Sequence, residues 1–137
     1  QLNKGHKLVC LYSLTCGHCQ QAYKELYQMD KSGKLPDMYL ICYGQQFDKF
    51  YFFNQGGGEK PNILLTDKHE FDILMRGESF PKILDMKDGK ILQKWDISTY
   101  NKESVATYYN IELNKSEKVK KLNSITTDEQ EEYNPFK

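Results

Sequence analysis

Hydrophobic and polar positions fall into short blocks whose spacing changes along the chain. Lys7-Leu8-Val9-Cys10-Leu11-Tyr12-Ser13-Leu14 is an apolar run, polar on its left and closed on its right by Thr15-Cys16-Gly17, which predicts a buried strand. The period then shifts. From Cys19 to Met29 the residues Ala22, Tyr23, Leu26, Tyr27 and Met29 recur every three or four positions and stop near Lys31-Ser32-Gly33, the pattern of an amphipathic helix closed by a glycine. Met38-Tyr39-Leu40-Ile41-Cys42-Tyr43 is the second apolar run, so two parallel strands joined through a helix are the economical topology.

The segment Gln46 to Asn54 is dense in aromatics, and its positions 47, 50, 51 and 54 fall at helical spacing. Gln55-Gly56-Gly57-Gly58-Glu59-Lys60-Pro61 ends it and reads as a hinge or flexible loop. A phosphate-binding loop would need Gly-Lys-Ser or Gly-Lys-Thr opening a helix, and neither follows. Asn62-Ile63-Leu64-Leu65-Thr66 predicts a short strand. Asp67-Lys68-His69-Glu70 has the spacing of a helix-starting capping box, for a helix reaching about Arg76 and stopped by Gly77. Lys82-Ile83-Leu84-Asp85-Met86 and Lys90-Ile91-Leu92-Gln93-Lys94-Trp95 flank Lys87-Asp88-Gly89, a strong signal for an antiparallel hairpin. A final helix is expected within 101–113, with Val105, Tyr108, Tyr109 and Ile111 inward. Residues 114–137 are rich in Lys, Glu, Asn, Ser and Thr, and a polar C-terminal tail, loosely packed or disordered, is expected there.

Composition narrows the function. The 137 residues suit one domain, expected over residues 1–113, and 19 Lys plus Arg balance 19 Asp plus Glu. No overall basic field exists to release counterions from nucleic acid, so no nucleic-acid partner is expected. No apolar run approaches the roughly 18 residues that span a bilayer, so membrane association is expected only through a tether outside this chain. The chain starts at Gln1 without a Met or an apolar signal region, as a trimmed, processed or excised domain would. Four cysteines are too few for a disulfide scaffold, and the 13% of aromatic residues can build a core without them. The cysteines therefore matter by position.

Cys16-Gly17-His18-Cys19 sits where the first strand meets the first helix. Two cysteines at that spacing can close a small disulfide, and the free N–H groups and dipole of a helix N-terminus favour negative charge on the first sulfur. Cys16 is thus the expected thiolate nucleophile and His18 its tuner. Cys19, one turn into the helix, is placed to attack a mixed disulfide on Cys16 and release the substrate thiol.

Val9-Cys10-Leu11-Tyr12-Ser13-Leu14-Thr15-Cys16-Gly17-His18-Cys19 resembles the strand and active-site loop of the thioredoxin superfamily, with the inner Gly17-His18 typical of protein disulfide isomerase domains. Gly77-Glu78-Ser79-Phe80-Pro81, continuing through Ile91, is similar to that family's cis-proline loop, hairpin and turn. The unit between Cys42 and Gly77 is similar to the insertion of the extracytoplasmic TlpA-like branch. The resemblance covers about residues 6–110. It implies an α/β, thioredoxin-like fold with a central mixed sheet flanked by helices and an extra unit inserted before the cis-proline. It also implies a cis Pro81 against the Cys16–Cys19 pair, where it discourages metal capture, and a Phe80 backbone available to an extended substrate segment. Thr15 stands where the family commonly has Trp, which alters the screening of Cys16. Cys10 stands where many members carry a buried acid, so the usual proton-transfer group for Cys19 is missing.

A zinc site would need a second pair of ligands, and Cys10, Cys42, His6 and His69 are isolated in sequence, so no metal is expected. Cys10 and Cys42 read as core thiols, with adjacent strands able to bring them close. His6 and His69 read as surface residues, and Trp95, Tyr100, Tyr108, Tyr109 and the aromatics at 47–53 as core or groove. The resulting expectation is a thiol-disulfide oxidoreductase, with Cys16, Gly17, His18 and Cys19 catalytic and Thr15, Phe80 and Pro81 on the substrate side. It needs no cofactor beyond the redox-active disulfide. Its expected partners are protein thiol or disulfide clients and a redox partner, its expected state a monomer, and its expected home extracytoplasmic, such as a bacterial periplasm. The alternative is a non-catalytic thioredoxin-like binding or adaptor domain.

Overall fold

A computed structural model of the protein describes residues 4–113. The tail expected over 114–137 lies outside the described residues. The chain order is β1 (His6–Ser13), α1 (Gly17–Asp30), β2 (Asp37–Tyr43), α2 (Gln46–Gly56), β3 (Ile63–Thr66), α3 (Lys68–Met75), β4 (Lys82–Lys87), β5 (Lys90–Trp95) and α4 (Lys102–Tyr109). The five strands form one mixed sheet in the order β3-β2-β1-β4-β5. β1 runs parallel to β2, as expected, and β2 parallel to β3, while β4 is antiparallel to both β1 and β5.

β1 is central because both of its faces are apolar. Leu8, Cys10 and Tyr12 enter a core shared with Cys19, Ala22, Tyr23 and Leu26 of α1, Phe52 and Phe53 of α2, and Val105 of α4. Val9 and Leu11 face the other way, with Ile41 and Leu84, onto Phe71 and Met75 of α3. A near-continuous apolar run is what a strand covered on both sides requires. The hairpin forms as predicted: Asp88 and Gly89 both take positive φ, 50° and 82°, in the turn between β4 and β5. Asp67 caps α3 by accepting the Glu70 N–H at 2.8 Å.

Two expectations need correction. In α2 the inward residues are Phe52, Phe53 and Gly56, while Phe47, Phe50 and Tyr51 are exposed. The burial follows a compact aromatic cluster: Phe52 lies 5.6 Å from Tyr12 and 5.5 Å from Tyr23, and Phe53 lies 5.0 Å from Tyr23. In α4, Val105 and Ala106 point inward but Tyr108 is exposed, because the helix ends at Tyr109 and Ile111 reaches the core from beyond a left-handed Asn110. His6 is exposed, as expected, and its ring pairs with the carboxylate of Asp85, which is buried on β4.

The glycine run is a packing device. Gly56 ends α2 against Tyr23, and a Cβ placed there would lie 2.3 Å from the Tyr23 ring. Gly57 caps the helix at φ 114° against Tyr27, and the Tyr23 hydroxyl donates to the Gly58 carbonyl at 2.5 Å. Absent side chains let α2 approach α1 closely enough to seat the phenylalanines. Gly56→Ala should therefore overpack a core that has no slack and destabilise the domain by about 1–3 kcal/mol. A urea melt against the parent checks this; an unchanged midpoint would show that Tyr23 moves aside freely.

Candidate functional site

The sheet delivers the cysteine pair through the end of its central strand. After Ser13 the chain turns, with the Leu14 N–H bonded to the Tyr43 carbonyl at 2.9 Å and the Cys16 N–H to the Ser13 carbonyl at 3.1 Å. Cys16 is the N-cap of α1, with extended backbone angles and no side-chain cap on the helix. α1 thus opens at Gly17, two residues before the apolar period begins. Its first turn carries no acidic side chain, so the positive end of the helix dipole stands unopposed beside the Cys16 sulfur.

The two sulfurs occupy different surroundings. Cys16 is half-buried at the rim of the core, whereas Cys19 is fully buried. The Ser13 N–H donates to Cys19 Sγ at 3.4 Å. Burial pushes the Cys19 thiol well above its ordinary range, with the Ser13 hydrogen bond opposing and the neighbouring Cys16 adding to the rise. One sulfur is accessible and the other is held protonated beneath it.

The remaining predicted residues are distributed around this pair. Thr15, Gly17 and His18 are exposed. The Phe80–Pro81 peptide bond is cis and Pro81 is buried. His18 and Pro81 line one groove of about 310 Å³, so helix α1 and the Pro81 loop meet there. Phe80 is half-buried, packs against the cores on both sides of the sheet and lies 6.1 Å from Phe71.

Several partners were not foreseen. The buried Lys82 Nζ donates to the Leu74 and Met75 carbonyls, both at 3.2 Å, at the C-terminus of α3 and pairs with Glu78 at 2.8 Å. Glu78 also pairs with Lys94, and hydrogen bonds from the two lysines hold its carboxyl below the usual range. The loop from Gly77 to Pro81 is thereby pinned to α3 and β5. In the His18 groove, the Tyr100 hydroxyl donates to Glu25 Oε1 at 2.8 Å. The sequence carries no signal for this pair, since Glu25 is on the polar side of a helical repeat and its partner is 75 residues away.

Asp85 is a buried acid, but it does not replace the one missing at Cys10. It is opposite Leu8, five positions along β1 from the Ser13 that contacts Cys19, which is about 17 Å of extended strand. Cys10 and Cys42 are buried as expected, though not directly paired: Cys10 is opposite Leu40, and Cys42 opposite Tyr12. Among the described residues no group of three or more His, Cys, Asp or Glu converges as a metal site. No described helix is long and apolar enough to cross a membrane.

A mixed sheet with a Cys-x-x-Cys pair at the start of α1, facing a cis-proline loop, defines a thioredoxin-like fold. Comparison with solved structures agrees. A secreted Mycobacterium tuberculosis disulfide oxidoreductase homologous to Escherichia coli DsbE superposes with a TM-score of 0.64 at 9% identity, over 77% of this chain and 81% of that one. The thioredoxin domain of a Bacteroides vulgatus thiol-disulfide oxidoreductase superposes at 0.61 with 16% identity, over 79% and 81%. A thiol:disulfide interchange protein from a Bacteroides species gives 0.60 with 17%, over 80% and 76%. Among curated proteins, Protein TlpB of Flavobacterium psychrophilum is 24% identical over 110 residues; the match takes in 79% of this chain and only 30% of TlpB. No family model matches.

The buried thiols predict an alkaline instability. Burial pushes Cys10 and Cys42 up to about 12 from an ordinary value of about 9. Below that ordinary value both are protonated whether folded or unfolded. Between it and about 12 the unfolded chain releases protons that the fold retains, so stability falls as pH rises, by about 1.4 kcal/mol per pH unit for each thiol. Urea midpoints measured from pH 8 to pH 11 should decline, and Cys42→Ala should make the decline shallower by about one proton's share. An equal slope in parent and variant would contradict the assignment.

Proposed function

We propose that the domain is a thiol-disulfide oxidoreductase that exchanges disulfides with protein clients through a mixed disulfide on Cys16, resolved by Cys19. The contrast between a half-buried Cys16 at an uncapped helix N-terminus and a fully buried Cys19 one turn further on carries this reading. In the reductive direction the Cys16 thiolate attacks a client disulfide. One Cys16–client S–S bond forms and the client's other sulfur leaves as a thiolate. Cys19 then attacks Cys16 Sγ, giving the Cys16–Cys19 disulfide and a second client thiolate, which takes up the proton that Cys19 loses. A client has gained two electrons and the domain has lost two. The oxidative direction is the reverse, and the difference in reduction potentials sets the net flow, about 30 mV for each tenfold change in equilibrium constant.

Each remaining residue has a role in this scheme. Ser13 N–H steadies charge on Cys19 as its proton leaves, in a site without the usual buried acid. His18, exposed two residues after Cys16, tunes the nucleophile, and Gly17 leaves the approach clear. Pro81 shields the sulfurs, while Phe80 offers its backbone to an extended client strand and Thr15 borders the entrance. The unit between Cys42 and Gly77, which adds β3 at the sheet edge beside β2, reads as an insertion in a thioredoxin-like frame. The likeness in fold to a secreted M. tuberculosis oxidoreductase supports an extracytoplasmic site of action, where protein disulfides persist.

Insulin reduction with dithiothreitol as electron source, and refolding of a scrambled disulfide protein, are the direct assays. Cys16→Ser should abolish turnover. Cys19→Ser should leave Cys16 able to attack and accumulate as a mixed disulfide visible by mass. Equal turnover by the parent and Cys16→Ser would overturn the proposal.

A further inference from the structure

The groove beside His18 and Pro81 contains a carboxylate that the exchange chemistry does not use. Glu25 is on α1 two turns beyond His18, partly buried in the groove wall. Both its oxygens are held by neutral donors: Oε1 by the Tyr100 hydroxyl and Oε2 by the Gln21 amide, each at 2.8 Å. Among the described residues no cation forms an ion pair with it. Hydrogen bonds of this kind fix the direction of a carboxylate while leaving its charge uncompensated.

The other charges at the groove reinforce that contrast. Lys102 and Glu103 stand side by side at the start of α4, one of each sign, and each is engaged in contacts of its own. With one Lys against Glu25 and Glu103, the groove lining keeps an excess of acidic side chains. Ile97, 44% exposed, provides an apolar wall on the β5–α4 connection. A segment entering this space therefore meets an apolar surface and a fixed negative charge close to the cysteine pair.

We propose that this groove is a client subsite that selects a Lys or Arg side chain near the reacting cysteine, with Glu25 as the specificity-determining residue and Tyr100 and Gln21 as its positioning residues. The alkyl stem of the client residue lies along Ile97 while its cationic head meets Glu25. The proposal rests on the oxidoreductase reading for the identity of its ligand, but the charge selection itself does not require turnover. Salt weakens the preference, because the groove is open to water.

The test uses two peptides, each carrying one cysteine as a mixed disulfide with a small thiol and differing only in Lys or Glu beside it. Rate constants for their opening by the reduced protein should favour the Lys peptide by about fivefold to tenfold at low salt, the range of a partly screened ion pair. Glu25→Gln, which keeps the volume and the Tyr100 contact, should bring the ratio within about twofold. Tyr100→Phe should give an intermediate ratio, because the carboxylate stays but is no longer aimed. A ratio unchanged by Glu25→Gln overturns the subsite. If neither peptide is opened, the oxidoreductase reading fails, and anisotropy of a labelled cysteine-free Lys peptide then decides the groove alone. Weaker binding to Glu25→Gln supports the subsite, and equal binding to both proteins refutes it.

Discussion

The junction between β1 and α1 is the constraint on which the rest of the molecule depends. β1 is covered on both faces and bonded on both edges, so the position of its end is set by the whole sheet. At that end the Ser13 N–H bonds Cys19 Sγ, and the helix that carries Cys19 begins from Cys16. Any displacement of β1 would move the two sulfurs relative to their polar partners. Placing chemistry at the carboxyl end of a central strand, on the opening turn of a helix, is a general solution in open α/β sheets, because backbone N–H groups are free there.

The same junction produces the inequality between the sulfurs. α1 enters the core from Cys19 onward, and Ala22, Tyr23, Leu26 and Met29 after it join the buried cluster that holds Leu8 and Tyr12, so the second sulfur is drawn inside while the first stays at the rim. The glycine run acts at a distance on this arrangement. By admitting the α2 terminus against Tyr23 and Tyr27, it seats Phe52 and Phe53 around the middle of α1 and holds that helix against the sheet. Opposite, Lys82 and Glu78 pin the Pro81 loop to α3 and β5. Cys16 and Cys19 thus belong to a helix held by the packing of α2 and have beside them a loop held by ion pairs.

Much of this could be read from the residues. β1, β2 and the hairpin follow from apolar runs and Asp88-Gly89, and α1 from a clean change of period. Cys16 and Cys19 stand out because their spacing coincides with that change. Periodicity failed where it carried no contrast: in α2, four consecutive aromatics, Phe50 to Phe53, left several possible inward stripes, and tertiary contact with Tyr12 and Tyr23 chose Phe52 and Phe53. The role of Gly56 and Gly57 depends on a neighbouring helix, so local turn rules described it as slack when it is close packing. His6 with Asp85 and Glu25 with Tyr100 are separated by 79 and 75 residues, and nothing local marks either pair.

The central claim is that Cys16 and Cys19 form a reversible disulfide while Cys10 and Cys42 remain core thiols. Equilibration of the protein across a series of reduced-to-oxidised dithiothreitol ratios, followed by acid trapping, mass tagging and peptide mapping, tests it most directly. The account predicts loss of two of the four thiols along a single two-electron curve, both mapped to Cys16 and Cys19. Retention of all four thiols at every ratio, or loss mapped to Cys10 or Cys42, would contradict it.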